Sequence, residues 1–467
     1  MAQIPIVNLK GINTYVTPFD SSEPARIIHC VNLDSEPLGA KKKRPGYTTY
    51  LGTPDTSQVN SLFSWTKNDG TTLFNYRASG TKLYHSLQGT GAWTTCGNGT
   101  IASGAHVQHT VMDNTLMICD GAGSTRYSTT GTSFTDTTLA PVAVDLQEYQ
   151  GRVYAAGTVS HNFYSTSGTP TDWSTDSSSI LIPGAGKLSR LFKASDRLLS
   201  CKNSGIMTRW DGVSLVDMAT DLGPSSPYSV AEVEDFRFFL NRLGVFMTNA
   251  GPPQLISNSI QRQIYNDAGS GIAGTTFNTA PGEVHKYNYY LSVGTITDDF
   301  VGEQISDAII KYDYQKNEFL NYKFANFPTA WHSYKDVNGV QQLIFGDASG
   351  QCYTYGGTVT SDNGTTIEAS MILLFHGGSL DDKKFKWFMA AFNPGCQAKI
   401  AVATTDTFIK GAKRWIDLGD VDSGVLDVRF PPEVSRGKLL WIKIYEASQN
   451  ARFNLYSMSI DYDYIPK

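Results

Sequence analysis

The sequence predicts an all-β protein: a β-propeller of about seven blades, or six if one unit is misread, followed by a C-terminal antiparallel β-sandwich. Three observations predict it. Only 17% of the 467 residues are charged, while glycine (43) and tyrosine (24) are abundant. A helical protein would carry about a quarter charged residues, many of them on helix faces. Apolar strand-like pairs, each preceded by a turn, recur roughly every 40 residues, which is blade spacing. After Tyr353-Thr354-Tyr355-Gly356-Gly357 the pattern changes.

Residues 1–58 read as an extended arm. Proline punctuates it in Val16-Thr17-Pro18, Ser22-Glu23-Pro24 and Arg44-Pro45-Gly46-Tyr47, and each proline holds the preceding residue extended. Such an arm is expected to run along a surface and clip onto the propeller or a neighbour. It carries the basic run Lys41, Lys42, Lys43 and Arg44, a candidate contact with phosphate or an acidic partner; the plainer alternative is a solvated loop beside a turn. The N-terminus lacks a charged leader followed by a long apolar run, so no signal peptide is expected. No 18 apolar residues run together, so no membrane insertion is expected either.

Residues 59–357 carry the repeat. The apolar pairs begin at positions 73, 116, 153, 198, 238, 289 and 343. The turn pairs before them are Asp69-Gly70, Asp113-Asn114, Gln150-Gly151, Ser195-Asp196, Glu234-Asp235, Tyr287-Asn288 and Asn338-Gly339, several of the kind that tight hairpins need for positive φ. The first unit is expected to place strands at 61–66, 71–77, 81–86 and 93–96. Its first three copies share a second feature. Tyr84, Tyr127 and Tyr164 are followed by Gly89-Thr90, Gly131-Thr132 and Gly168-Thr169, then by Trp93, Phe134 and Trp173. A glycine turn ending in an aromatic on the next strand would plug the gap between adjacent blades. The Gly-rich stretch 269–274 and the acidic stretch 297–303 read as surface loops. The best helix candidates are short, at 254–264 and 304–310.

A polar linker over 358–366 leads to seven short strands, at 367–375, 385–392, 398–403, 413–418, 424–430, 439–445 and 454–462. Alternation is clear in Leu440-Trp441-Ile442-Lys443-Ile444-Tyr445, and about 100 residues with seven strands suit a separate sandwich over 358–467.

Candidate chemistry is sparse. A net charge of −5, from 38 Lys and Arg against 43 Asp and Glu, excludes a generally basic nucleic-acid binder. The six cysteines are far apart and match no metal knuckle or redox pair, so buried thiols are expected. There is no nucleophile elbow, phosphate loop or zinc helix. The match Gly269-Ser270-Gly271-Ile272-Ala273-Gly274 lacks the flanking strand and helix of a dinucleotide site. The pairs Asp381-Asp382 and Asp298-Asp299 read as solvated. His106 and His109 would be ligand neighbours only on a helix. Asp461 and Asp463 would hold a cation only if further carboxylates converged on them. Positions 87, 129 and 166, where glycosidase-type propellers place the aspartate of their Asp-box turns, hold Leu87, Thr129 and Thr166.

An extended arm ending in Lys43-Arg44-Pro45-Gly46-Tyr47, a propeller, and a C-terminal sandwich containing Lys383-Lys384-Phe385-Lys386-Trp387-Phe388 together resemble the tail hub, or nozzle, proteins of short-tailed bacteriophages. The resemblance lies in organisation and size and covers nearly the whole chain. It implies a virion structural protein, made in the host cytoplasm, with no catalytic residue and no cofactor. It further implies a homo-oligomeric, hexameric ring below the portal and adaptor, which extends the channel for DNA ejection and anchors fibres or spikes. The alternative expectation is a carbohydrate- or receptor-binding propeller.

Overall fold

A computed structural model describes residues 2–6, 9–14, 25–36, 40–52, 55–265, 271–273, 276–298, 301–377, 379–405, 413–421, 424–448 and 453–465. The segments around Pro18 and Pro24, and Asp299 of the candidate acidic pair, lie outside them.

Each of the seven apolar pairs lies in the second strand of a four-stranded antiparallel unit. Five units stand alone as sheets, and their first strands are Val59–Thr66, Gln108–Met112, Ala143–Tyr149, Leu188–Ala194 and Ala231–Val233. The sixth unit is Gly282–His285, Asn288–Asp298, Glu303–Asp313 and Glu318–Lys323, which continues into a larger sheet. The seventh is Ala330–Lys335, Gln341–Gly346 and Cys352–Tyr355, with Tyr47–Thr49 as its outer strand. Six sheets of the propeller are thus separate from the sandwich, and one blade is shared with it. The second strands are buried almost throughout because each has a strand on either side and a blade on either face: Leu73–Ser79 has no accessible residue. The hairpins before them turn as the sequence requires, with positive φ at Asp113 and Asn114, at Gln150 and Gly151, and at Ser195 and Asp196. In the sixth unit the turn is one residue earlier than expected. His285 pairs with Asn288, so the turn residues are Lys286 and Tyr287.

Neighbouring blades are joined in two ways. The aromatic plugs form as the repeat implies: Phe134 of blade 2 packs edge-on to Tyr76 of blade 1 at 6.2 Å, and the Tyr76 hydroxyl donates to Gly131 O at 2.9 Å. Gly131 has to be glycine there, since a Cβ would lie 2.3 Å from the Phe74 ring. Trp93 meets Tyr50 of the arm, and Trp173 joins the core between blades 2 and 3. Nearer the axis, first strands are tied through polar side chains. Val107 N–H donates to Ser61 Oγ at 2.8 Å, Glu148 N–H to Thr110 Oγ1 at 2.9 Å, and Leu191 N–H to Asp145 Oδ2 at 2.6 Å.

The C-terminal strands form two facing sheets. One contains Ala369–Phe375, Leu439–Glu446, Lys399–Thr405 and Ile416–Asp420; the other contains Asn454–Tyr464, Lys383–Phe392 and Val425–Arg429. Phe375, Phe385, Phe388, Ile442, Ile444, Met458 and Ile460 fill the space between them. The arm is woven into both bodies. Ala2–Ile6 pairs with Asn454–Tyr464, and Ala25–Val31 pairs with Ala369–Phe375 on one side and with Asn321 of blade 6 on the other. Leu33–Ser35 and Lys41–Lys43 form a hairpin beside Asn454 and Leu455. One ten-stranded sheet therefore runs from blade 6 into the sandwich.

Two expected helices are corrected. The stretch 304–310 is inside the long strand Glu303–Asp313, where β-branched Ile305 pairs with Ile296, and Ile309 and Ile310 are flanked by strands on both sides. The stretch 254–264 holds a two-residue strand, a 3-10 turn and a single helical turn, Gln261–Ile264. Two expected surface loops are also partly internal. Gly271 and Ile272 pair with Thr297 and Ile296, and Val301 is buried in a core with Trp441.

The joint of these parts centres on Arg44. Its guanidinium donates to both oxygens of Asp362 at 2.8 and 2.7 Å, to Asn32 Oδ1 at 2.7 Å and to Lys323 O at 2.6 Å, and it lies 4.3 Å over the Phe324 ring. A Cβ on Gly46 would lie 1.9 Å from Ser361 O. Arg44→Ala leaves Asp362 buried without its cation and is expected to cost about 3–5 kcal/mol. Gly46→Ala is expected to abolish folding. Chemical unfolding midpoints check both, with exposed Val213→Ala as the unchanged control.

Candidate functional site

The propeller axis opens on a polar cavity of about 150 Å³, lined at the N-terminal ends of the first strands by His106, Gln108, Arg190, Tyr228, Glu283 and His332. These side chains come from five blades, His106 and Gln108 both belonging to blade 2. Gln108 and Arg190 each lie eight residues before the apolar pairs that begin at 116 and 198. Val230 and Pro281, at the corresponding places in blades 5 and 6, also line the cavity, so four units present the same position to the axis.

Ring stacking dominates the geometry. The His106 imidazole lies face to face on Tyr228, with centroids 3.6 Å apart, and His109 stacks on Phe63 at 4.5 Å. His332 stacks on Tyr334, and its Nε2 is 2.9 Å from Ser64 Oγ. Burial makes the charged imidazolium costly, so the pKa of His106 and of His109 is lowered to about 4 and that of His332 to about 3. All three are neutral packing elements at pH 7. Glu283 is pushed the other way, up to about 8, mainly by burial. Arg190 is held by Asp145 Oδ1 at 3.3 Å and by Gln108 Oε1. At ~30 Å³ per water the cavity has room for only about five waters. It is far too small for a duplex whose major groove alone is about 12 Å wide.

The basic run is placed inside the joint. Lys41 and Arg44 are buried, Lys41 near Glu318 at 4.0 Å and Arg44 on Asp362. Lys43 pairs with buried Glu446 and donates to Ser448 O at 3.1 Å. Lys42 alone is exposed, at 46%, and it pairs with Glu36. All four cations thus have partners within the chain, and three of them are enclosed because each continues a strand or turn that the sandwich and blade 6 cover.

The remaining candidates stay apart. All six cysteines are buried thiols. Asp381 lies in an exposed turn, accepting from Ser379 Oγ at 3.1 Å. Asp463 is paired with Lys386 at 2.5 Å, while Asp461 beyond it makes no such pair. Among the described residues no three His, Cys, Asp or Glu side chains converge as a metal site would need, and no helix is long and apolar enough to cross a membrane. On the sandwich, Trp415, Tyr445, Lys443 and Asp417 line an open groove of about 610 Å³. The axial cluster and this groove escape a linear reading because their members are distant in the chain. The position eight residues upstream of the apolar pair, shared by four units, is the one signal that points to part of the former.

No family model matches the sequence, and no curated protein matches it. Similar solved structures include the WD40 β-propeller domain of Doa1, at 11% identity over 67% of this chain and 97% of that one, with a TM-score of 0.41. YCF48 bound to a D1 peptide is 11% identical over 71% of this chain and 99% of that one (TM-score 0.44). BBS1N in complex with ARL6DN is 9% identical over 68% and 99% (TM-score 0.46). Likenesses this distant leave function to the residues of this chain.

The cavity sets a two-sided pH dependence. The histidines have folded pKa values below their ordinary 6.5, so the stability tied to their neutral forms is lost as the pH falls from about 6.5 toward 4. Glu283 has a folded value above its ordinary 4.5, so its contribution is full below about 4.5 and is lost as the pH rises toward 8. Glu283→Gln is expected to flatten the upper arm and His109→Phe to weaken the acid arm, as read from unfolding midpoints between pH 4 and 9.

Proposed function

We propose that the protein is a non-enzymatic structural subunit of a virion tail, a hub or nozzle that assembles with copies of itself into a six-membered ring. The observation that supports this reading most is the welding of propeller to sandwich. A single sheet crosses from blade 6 into the sandwich, and the arm pairs with both bodies. Force applied to either body therefore reaches the other through hydrogen-bonded strands, with no hinge between them, as a part under pressure during DNA exit requires.

In this reading DNA passes beside the propeller, between copies, since the axial cavity is far too narrow. The low, slightly acidic charge of the chain leaves such a passage unattractive to phosphate. An adaptor above and fibres or spikes at the flank are the other partners of the assembly, and the virion tail is its location.

A second reading, saccharide binding, is favoured by the Trp415 and Tyr445 groove, where an aromatic face beside a carboxylate and an ammonium suits a sugar.

Negative-stain images of the purified protein are expected to show rings, and filter binding to duplex DNA is expected to be weak. Monomers that bind a glycan array would favour the second reading, and tight, salt-sensitive DNA binding by rings would overturn the inert passage.

A further inference from the structure

The outer sandwich sheet carries two unmatched charges on either side of an exposed tryptophan. Arg429, Trp387 and Asp461 sit opposite one another on three adjacent strands. Two strand spacings, roughly 10 Å, separate the two charges. Arg429 stacks over the Trp387 ring at 5.0 Å, and no carboxylate among the described residues pairs with it. Asp461 has an enclosed Oδ1 that meets no donor, whereas Asp463, two residues on, has Lys386. An enclosed carboxylate oxygen without a donor costs stability unless something supplies one.

The surroundings are apolar and open. Trp387 is 39% exposed, Met389 41% and Val425 51%, side by side on this face, and Tyr456 is exposed on the far side. Both margins of the sheet are also unpaired. Among the described residues Val425–Arg429 bonds only to Lys383–Phe392, and Ala2–Ile6 only to Asn454–Tyr464. Free sheet edges beside an exposed apolar centre are what a contact surface presents.

We propose that this sheet is the contact between neighbouring copies of the chain, which rests on the ring reading above. The Val425–Arg429 margin of one copy packs head to tail against the Ala2–Ile6 side of the next, where Arg429 reaches Asp461 and Trp387 is covered. The patch is complementary to itself, an unmatched cation at one margin and an unmatched anion toward the other. A second copy is therefore the occupant that satisfies both. Side chains make the contact, since Pro5 denies its edge one N–H. A head-to-tail contact repeats at every interface, so it builds an assembly of more than two members, which is a ring where the rotation between copies closes.

Charge reversal tests this in the full chain by sedimentation velocity. Wild type is expected to assemble beyond a dimer. Arg429→Asp and Asp461→Arg alone are each expected to weaken assembly at least tenfold, with unchanged unfolding midpoints. An equal mixture of the two is expected to reassemble, because each variant supplies the charge the other lacks. Should Asp461→Arg unfold, Asp461→Asn replaces it and is expected to weaken assembly alone and rescue nothing. Wild type that stays monomeric at all concentrations overturns the ring reading and this contact with it. An assembly of two copies overturns the head-to-tail arrangement. Rings that ignore both variants overturn this contact alone.

Discussion

Ring closure is the constraint on which the rest of this molecule depends. A propeller is stable only when its last blade is clasped to its first, and here the clasp is Tyr47–Thr49, donated from ahead of blade 1 to the outer edge of blade 7. Arg44, three residues before it, anchors that strand to Asp362 in the linker that leaves blade 7. Lys323 O, Asn32 Oδ1 and Pro45 O take the remaining three donors, so blade 6, the arm and the linker to the sandwich meet at one cation. A buried ion pair gives little net stability compared with apolar packing, but it is specific: only one register of the arm satisfies all five donors.

The scarcity of charge acquires a physical reason from this arrangement. Blades touch blades, sandwich sheets touch each other, and the arm covers what remains, so few positions are left for lysine and glutamate. Where cations do occur they are often paired inside: Lys311 with Asp34, Arg77 with Asp55, Arg190 with Asp145. Tyrosine and histidine take over work done elsewhere by aliphatic residues, since flat rings fill the wedge between twisted sheets while their polar ends find a partner. His109 on Phe63 and Tyr47 edge-on to Phe345 are examples.

Local pattern was legible in the chain and long-range pairing was not. Every apolar pair, from Leu73-Phe74 to Leu343-Ile344, falls in a second strand, because that position must be apolar on both faces and must follow a tight turn. Leu439–Glu446 and Asn454–Tyr464 were equally plain from their alternation. The strand Glu303–Asp313 was misread as a helix candidate because its isoleucines follow no clean period of two when both faces are covered. Lys41 and Arg44 looked solvated because a run of cations normally is; the carboxylates that hold them, Glu318 and Asp362, are more than 270 residues away. The axial cluster was hidden for the same reason, with its members spread over five blades.

The pairing of Ala2–Ile6 with Met458–Tyr462 has a consequence for biosynthesis. At roughly 5–20 residues per second, the about 450 residues between these strands take roughly 20 to 90 s to emerge from the ribosome. Throughout that interval the nascent chain holds an open arc of blades, an unclasped arm and a half-built sandwich. Until the last strand pairs, its apolar edges stay open to aggregation and proteolysis.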